Sequence, residues 1–234
     1  MDILTLDEIK KELEVRKIII TDKHVVFTSG KHGTAYVNKD RIYPFTELTR
    51  SMCQHIAFDY KDSNIDTVIA PAVGGVILST WVSYWLQEFT GKPVFCTYAD
   101  KDPDPNNPKG FVIGRGYSEF VQAKKVLALE DIINTGGSIV ELIKTVNKTI
   151  GEGKIIGIGA LCNRGGSTAE TLGVPKLYSV INVSMEAFDQ KDCQMCRRKV
   201  PVYTGAGHGE TFLKSETGIA IYGDPNTIPE TQLM

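Results

Sequence analysis

Two adjacent acids, Glu130 and Asp131, follow the apolar run Val126 to Leu129 and precede Ile132-Ile133-Asn134-Thr135-Gly136-Gly137-Ser138. The apolar run reads as a buried parallel strand with the acids at its end. The small residues after it let backbone N–H groups approach an anion at the start of the next helix, predicted over 138–150. The acids cannot bind a phosphate. They suit ribose hydroxyls, or a metal that carries a phosphate. A carboxylate pair beside a phosphate cradle therefore points to a sugar phosphate held from both ends. Two better-known phosphate loops are excluded. No lysine precedes Ser138, as a P-loop needs. Gly157 and Gly159 start a dinucleotide pattern, but Cys162 replaces its last glycine inside an apolar run.

The elements that must position these residues are legible from periodicity. Thr5 and Glu8 form a capping-box pattern for a helix reaching Lys17. Ile18 to Ile20 reads as a strand, and Val25 to Asn38 as a hairpin around Ser29-Gly30-Lys31-His32-Gly33. Further strands are expected at 67–70, 93–98, 111–113, 126–130, 155–162 and 177–183. Helices are expected at 45–60, 75–89 and 138–150, with a short one near 168–172. This alternation predicts an α/β fold, a parallel sheet covered on both faces. Asp100 to Gly110 holds three prolines and alternating charge, which exclude regular structure and suggest a mobile flap.

Ligands in such a sheet sit beyond the carboxyl ends of strands. That rule selects Pro71 to Gly75, Tyr98 to Lys101, Glu130 to Ser138, and Asn163 to Gly166, each with glycine, charge or both. The composition is that of an ordinary globular chain: 42% apolar, 23% charged, formal charge −2. No basic excess points to nucleic acid or a membrane surface. The apolar stretch Val68 to Leu86 is split by Pro71 and Gly74-Gly75, so it reads as strand, loop and helix and not as a membrane span. Five cysteines and no secretory pattern at the N-terminus suggest a reducing, cytoplasmic setting.

The segment Val126 to Ser138 resembles the phosphoribosyl pyrophosphate signature of the type I phosphoribosyltransferases. Other stretches are similar to the orotate-specific members. Phe27-Thr28-Ser29-Gly30-Lys31 with Tyr36-Val37-Asn38 resembles their N-terminal hood. Pro71-Ala72-Val73-Gly74-Gly75 resembles the pyrophosphate loop. Asn163-Arg164-Gly165 is similar to the place where the family puts an orotate-binding arginine, and Phe111 to Tyr117 and Cys193-Gln194-Met195-Cys196 with Val200-Pro201 resemble stretches of one subgroup. The resemblance runs in order over residues 5 to 205. The chain departs from it at Gly114, where an Arg is expected, at Asn134, where a Thr is common, and at Val37, where one aromatic is lost.

The resemblance implies a central parallel sheet flanked by helices, with a small hood over 1–45, a mobile flap, and one domain over 1–205. Residues 206–234 match nothing and are read as a tail. It implies transfer of phosphoribose from its pyrophosphate to orotate; a purine as acceptor, or a non-catalytic sensor, are the alternatives. Phosphoribosyl pyrophosphate would touch Ala72, Val73, Gly74, Gly75, Lys101, Arg115, Glu130, Asp131, Asn134, Thr135, Gly136, Gly137 and Ser138. Lys101, Glu130 and Asp131 would carry catalysis. Lys31, Tyr36, Asn134 and Arg164 would hold orotate. Mg²⁺ is the implied cofactor, held through pyrophosphate and ribose oxygens with no protein ligand assigned. A homodimer sharing its flaps is implied.

Cys193-x-x-Cys196 invites a zinc reading. Zinc needs four ligands, and there is no second cysteine pair; Cys162 and His208 would have to complete the set. The preferred reading is two half-buried structural thiols on a helix turn. His24, His32 and His55 are read as structural or exposed.

Overall fold

The computed structural model describes residues 3–27, 29–183 and 185–224; Thr28 of the hood turn lies outside them. In chain order the elements are α1 (Leu6–Val15), β1 (Ile19–Ile20), β2 (Val25–Val26), β3 (His32–Gly33), β4 (Tyr36–Val37), α2 (Thr46–Tyr60), β5 (Thr67–Pro71), α3 (Gly74–Thr90), β6 (Phe95–Lys101), β7 (Phe111–Val112), β8 (Lys125–Ile133), α4 (Gly137–Thr149), β9 (Lys154–Asn163), α5 (Ala169–Leu172), β10 (Leu177–Asn182), α6 (Gln194–Arg197), α7 (Gly209–Leu213) and α8 (Glu216–Tyr222). They fall into two units. One takes Met1–Lys11 and Lys39–Ser184, the other Glu12–Asn38 and Met185–Met234.

The first unit is built on a six-stranded sheet in the order β10-β9-β8-β5-β6-β7. Its strands are parallel except β7, which returns antiparallel to β6. Strand order reverses between β5 and β8, which makes their carboxyl ends a topological switch point. The central strands are apolar because helices cover them. Ile139, Leu142 and Val146, spaced at helical intervals on α4, bury against Ile69, Ala128 and Ile158. Buried Met52 and Ile56 on α2, with Leu78, Val82 and Leu86 on α3, supply further core. The acids were expected at a strand end, but β8 runs on to Ile133. Ile132 and Ile133 pair with Cys162 and Asn163 of β9, so Glu130 and Asp131 sit within the strand. The 102–110 segment is a loop between β6 and β7, tied by turns such as Asn107 Nδ2 donating to Asp102 Oδ2 at 2.8 Å.

The second unit joins residues 12–38 to the C-terminal part of the chain. The hairpin expected over 25–38 is shorter: β2 pairs with β3, while Tyr36 and Val37 of β4 pair with Ile20 and Ile19 of β1. Of the residues read as a tail, Gly209–Leu213 and Glu216–Tyr222 form α7 and α8, and Phe212, Leu213 and Tyr222 pack on Val26 and Val202. The cysteine pair is not half-buried: Cys193 and Cys196 are buried, facing His24 and His32. Cys162 lies on β9 in the other unit, and His208 is exposed before α7.

Candidate active site

Parallel register aligns the predicted loops at the carboxyl edge of the first unit. Ile69 lies beside Ala128 and Pro71 beside Ala99, so Glu130 on β8 and Lys101 on β6 each stand two residues beyond a β5 partner. Ile133 pairs with Asn163, which places the Asn134 and Arg164 loops side by side. Gly165 presses so closely on the Asn134 carbonyl that a Cβ there would overlap it. Asn163 pins its own loop by donating to the Ser167 carbonyl at 2.8 Å. Arg164 is half-buried, its N–H donating to the Ile133 carbonyl at 2.9 Å.

Gly136 takes the left-handed conformation, φ 76°, immediately before α4. Glycine adopts this backbone freely, and a Cβ here would lie 2.5 Å from Leu172 Cδ2. The chain thus turns from β8 into a helix whose first N–H groups lack intrahelical acceptors. Thr135, Gly137 and Ser138 are exposed at that terminus. Together they form an anion nest. On the neighbouring strand Pro71 leads into Ala72 and Val73, joined by a cis peptide, and then Gly74 opens α3. A Cβ on Gly74 would stand 2.9 Å from both Asp131 Oδ2 and the Tyr43 hydroxyl. The pyrophosphate-type loop therefore lies close against Asp131.

The two acids are buried, and they differ. Asp131 Oδ2 accepts from Lys39 Nζ at 2.8 Å and from the Tyr43 hydroxyl at 3.3 Å, while Oδ1 accepts the Ile132 N–H at 2.7 Å. Glu130 keeps one buried oxygen, Oε2, without a partner. Burial and the adjacent Asp131 charge push the Glu130 carboxyl up to about 7, against the pull of Ser138, the Asp131 N–H and Lys39. Burial lowers the affinity of Lys39 for its proton, but the hydrogen bond and charge of Asp131 outweigh it and raise it overall. Burial, then Asp131, raises the Tyr43 phenol. Lys39 and Tyr43 escaped the sequence reading. Nothing in their spacing ties them to an acid about ninety residues away.

The cations expected for the leaving group lie on the β6–β7 side. The Lys101 ammonium sits 4.0 Å over the Phe111 ring, and Arg115 pairs with Asp100 at 3.1 Å rather than with Glu119. Lys31 and Tyr36 belong to the second unit, where Lys31 pairs with Asp189 at 3.6 Å and Tyr36 is half-buried on β4. The donor set fits Mg²⁺: hard carboxylate oxygens, one of them buried and unpartnered, beside an anion nest.

The phosphoribosyl transferase domain model matches residues 41–190. An orotate phosphoribosyltransferase from Desulforamulus reducens is 33% identical over 178 residues, covering 76% of this chain and 85% of its own. One from Caldicellulosiruptor bescii is 30% identical, covering 78% and 88%. The fold matches orotate phosphoribosyltransferase of Mycobacterium tuberculosis, solved with 5-phospho-α-D-ribosyl 1-diphosphate, with a TM-score of 0.55 at 19% identity, covering 76% of this chain and 96% of that one. The chain belongs to the type I phosphoribosyltransferase family.

Proposed function

We propose that this chain transfers the phosphoribosyl group of 5-phosphoribosyl 1-pyrophosphate to orotate, forming orotidine 5′-monophosphate and releasing pyrophosphate. The observation that carries the reading is the acid pair, with Asp131 close against Gly74 on one side and the Thr135–Ser138 nest following on the other. Relatives that bear the orotate name support the choice of base.

The nest and its hydroxyls hold the 5-phosphate at the α4 N-terminus. Glu130 and Asp131 accept from the ribose 2- and 3-hydroxyls. Their negative charge favours the cationic ring that develops as the C1–oxygen bond breaks and a base nitrogen attacks. Lys39 and Tyr43 orient Asp131 for this. Ala72 to Gly75 receives the pyrophosphate, and Lys101 and Arg115 neutralise it as it departs. Arg164 grips the orotate carboxylate through parallel hydrogen bonds, with Asn134 beside it. Mg²⁺, when bound, would offset the negative charge of the pyrophosphate, with Glu130 and Asp131 as the nearby carboxylates.

The chain works as a homodimer that shares its flaps. An exposed strip on α3 with Ile77 and Tyr84, next to Trp81 and Trp85, is a suitable contact face. Five free cysteines fit a cytoplasmic setting. Among the described residues no helix is long and apolar enough to cross a membrane. A panel of bases incubated with labelled phosphoribosyl pyrophosphate, with and without magnesium, tests the proposal. Orotate should react and only with magnesium; reaction with a purine but not with orotate refutes it.

A further inference from the structure

The second unit carries a cluster that the transferase chemistry does not use. Strand alternation creates half of it. Val26 pairs with His32, and His24 lies two residues before Val26, so both imidazoles project from one face of the β2–β3 ribbon. The other half comes from the turn into α6, where Cys193 and Cys196 lie three residues apart and so on one side. Backbone bonds lock both halves in place: His32 exchanges N–H and carbonyl with Phe188 at 2.8 Å each, and the Tyr203 N–H donates to the His24 carbonyl at 2.8 Å.

The donor atoms point at one another. His24 Nε2 is 3.6 Å from Cys193 Sγ and 3.7 Å from Cys196 Sγ, and His32 Nδ1 is 3.4 Å from Cys196 Sγ. All four donor atoms lie within 4.8 Å of one another, and all four residues are buried. Tetrahedral zinc with Zn–N of about 2.05 Å and Zn–S of about 2.3 Å needs nitrogen–sulfur edges of about 3.5 Å. The two imidazole nitrogens, 2.8 Å apart, would part by about half an ångström to reach the tetrahedral edge.

Tautomers follow from the partners. The Val200 carbonyl can only accept, so His24 Nδ1, 3.0 Å away, carries the proton and Nε2 presents its lone pair to the cluster. This is the outer-shell bond that orients a ligating imidazole. The Tyr222 hydroxyl donates to the same carbonyl at 2.9 Å, so α8 braces it. Burial, then His24, pushes His32 down to about 4, and burial also lowers His24. Metal binding would release the two thiol protons as the thiolates form.

We propose that His24, His32, Cys193 and Cys196 bind one zinc ion as a closed, structural Cys₂His₂ site that staples the N-terminal hairpin to the C-terminal residues. Two thiolates balance the charge of the ion, and four protein ligands leave no position open for catalysis. The apolar cluster beside it is small, Val26, Val202 and Leu213 with Phe212 and Tyr222. Small units of this kind depend on such staples.

The test is elemental analysis of untagged protein purified without added metal, with X-ray absorption at the zinc edge. One zinc per chain is expected, in a shell of two sulfur and two nitrogen atoms. C193S and C196S should lose the ion, and C162S should keep it. A folded, metal-free wild type that stays metal-free after dialysis against zinc overturns the proposal and leaves a hydrogen-bonded thiol–imidazole cluster. So does zinc retained in both C193S and C196S, or an all-oxygen shell. If the serine variants fail to fold, wild-type stoichiometry and the absorption spectrum still decide.

Discussion

Lys39 donates a 2.8 Å hydrogen bond to Asp131 Oδ2, joining a half-exposed cation to a buried carboxylate. In the proposed mechanism this bond fixes the aspartate that faces ribose, and Tyr43 shares the same oxygen at 3.3 Å. Lys39→Met should leave that carboxylate buried with less compensation. Because the lysine is half-exposed, the loss of stability should be about 1–2 kcal/mol, below that of a fully buried pair. Urea unfolding of K39M, D131N and the double variant checks this. Strictly additive effects would show that the pair is uncoupled.

The Glu130 carboxyl gives a pH dependence whose sign is fixed. Unfolded, it ionises near its ordinary 4.5; folded, it keeps its proton to about 7. The native state therefore binds the extra proton between those values, and this contribution to stability is lost as pH rises through them. E130Q should lose less stability than wild type between about pH 5 and about pH 8. Mg²⁺-phosphoribosyl pyrophosphate favours the ionised form, so its affinity should rise over the same window, and more in wild type than in E130Q. Calorimetric titration of both proteins separates this from the ligand's own ionisation; parallel profiles would remove Glu130 from the site.

Gly74 is defined by what stands against it. With Asp131 and Tyr43 oxygens 2.9 Å from where a Cβ would go, Gly74→Ala should displace the acid or the loop. A misplacement of this size near reacting atoms costs about a hundredfold in rate. Inhibition by pyrophosphate should weaken in parallel, whereas the melting temperature should change little. An unchanged inhibition constant would argue that this loop does not meet pyrophosphate.

How far these residues were legible in the sequence depended on how local their signals were. The acid pair, the nest and the glycine loop are each contiguous, and the alternation of strand and helix placed them at one edge of a sheet. The cation and phenol on Asp131 were not legible, because they come from a distant segment with no motif of its own. The end of β8 was misjudged for a similar reason: Glu130 and Asp131 look like strand terminators until β9 is seen to pair onward with Ile132 and Ile133. His24 and His32 read as structural or exposed residues, and no local spacing joins them to the cysteines. Only the β2–β3 register and the return of the chain's C-terminal part bring the four together.

In the proposed mechanism base choice rests on Arg164. Losing its charge-assisted contact, worth about 1.5–3 kcal/mol, should raise KM for orotate roughly ten- to a hundredfold. KM for phosphoribosyl pyrophosphate should barely move. Arg164→Lys should recover only part of the loss, since an ammonium cannot present two parallel donors. Steady-state kinetics with each substrate varied in turn check this; equal changes in both KM values would reassign Arg164 to the sugar phosphate or to the loop.

The central claim is that the carboxylate pair and the α4 N-terminus grip opposite ends of one activated pentose. A crystal structure of the protein soaked with phosphoribosyl pyrophosphate and magnesium tests it most directly. The 5-phosphate should lie on the Thr135–Ser138 N–H groups, with the ribose hydroxyls on Glu130 and Asp131. A sugar phosphate bound elsewhere, with the nest empty and both carboxylates turned away from it, would contradict the account.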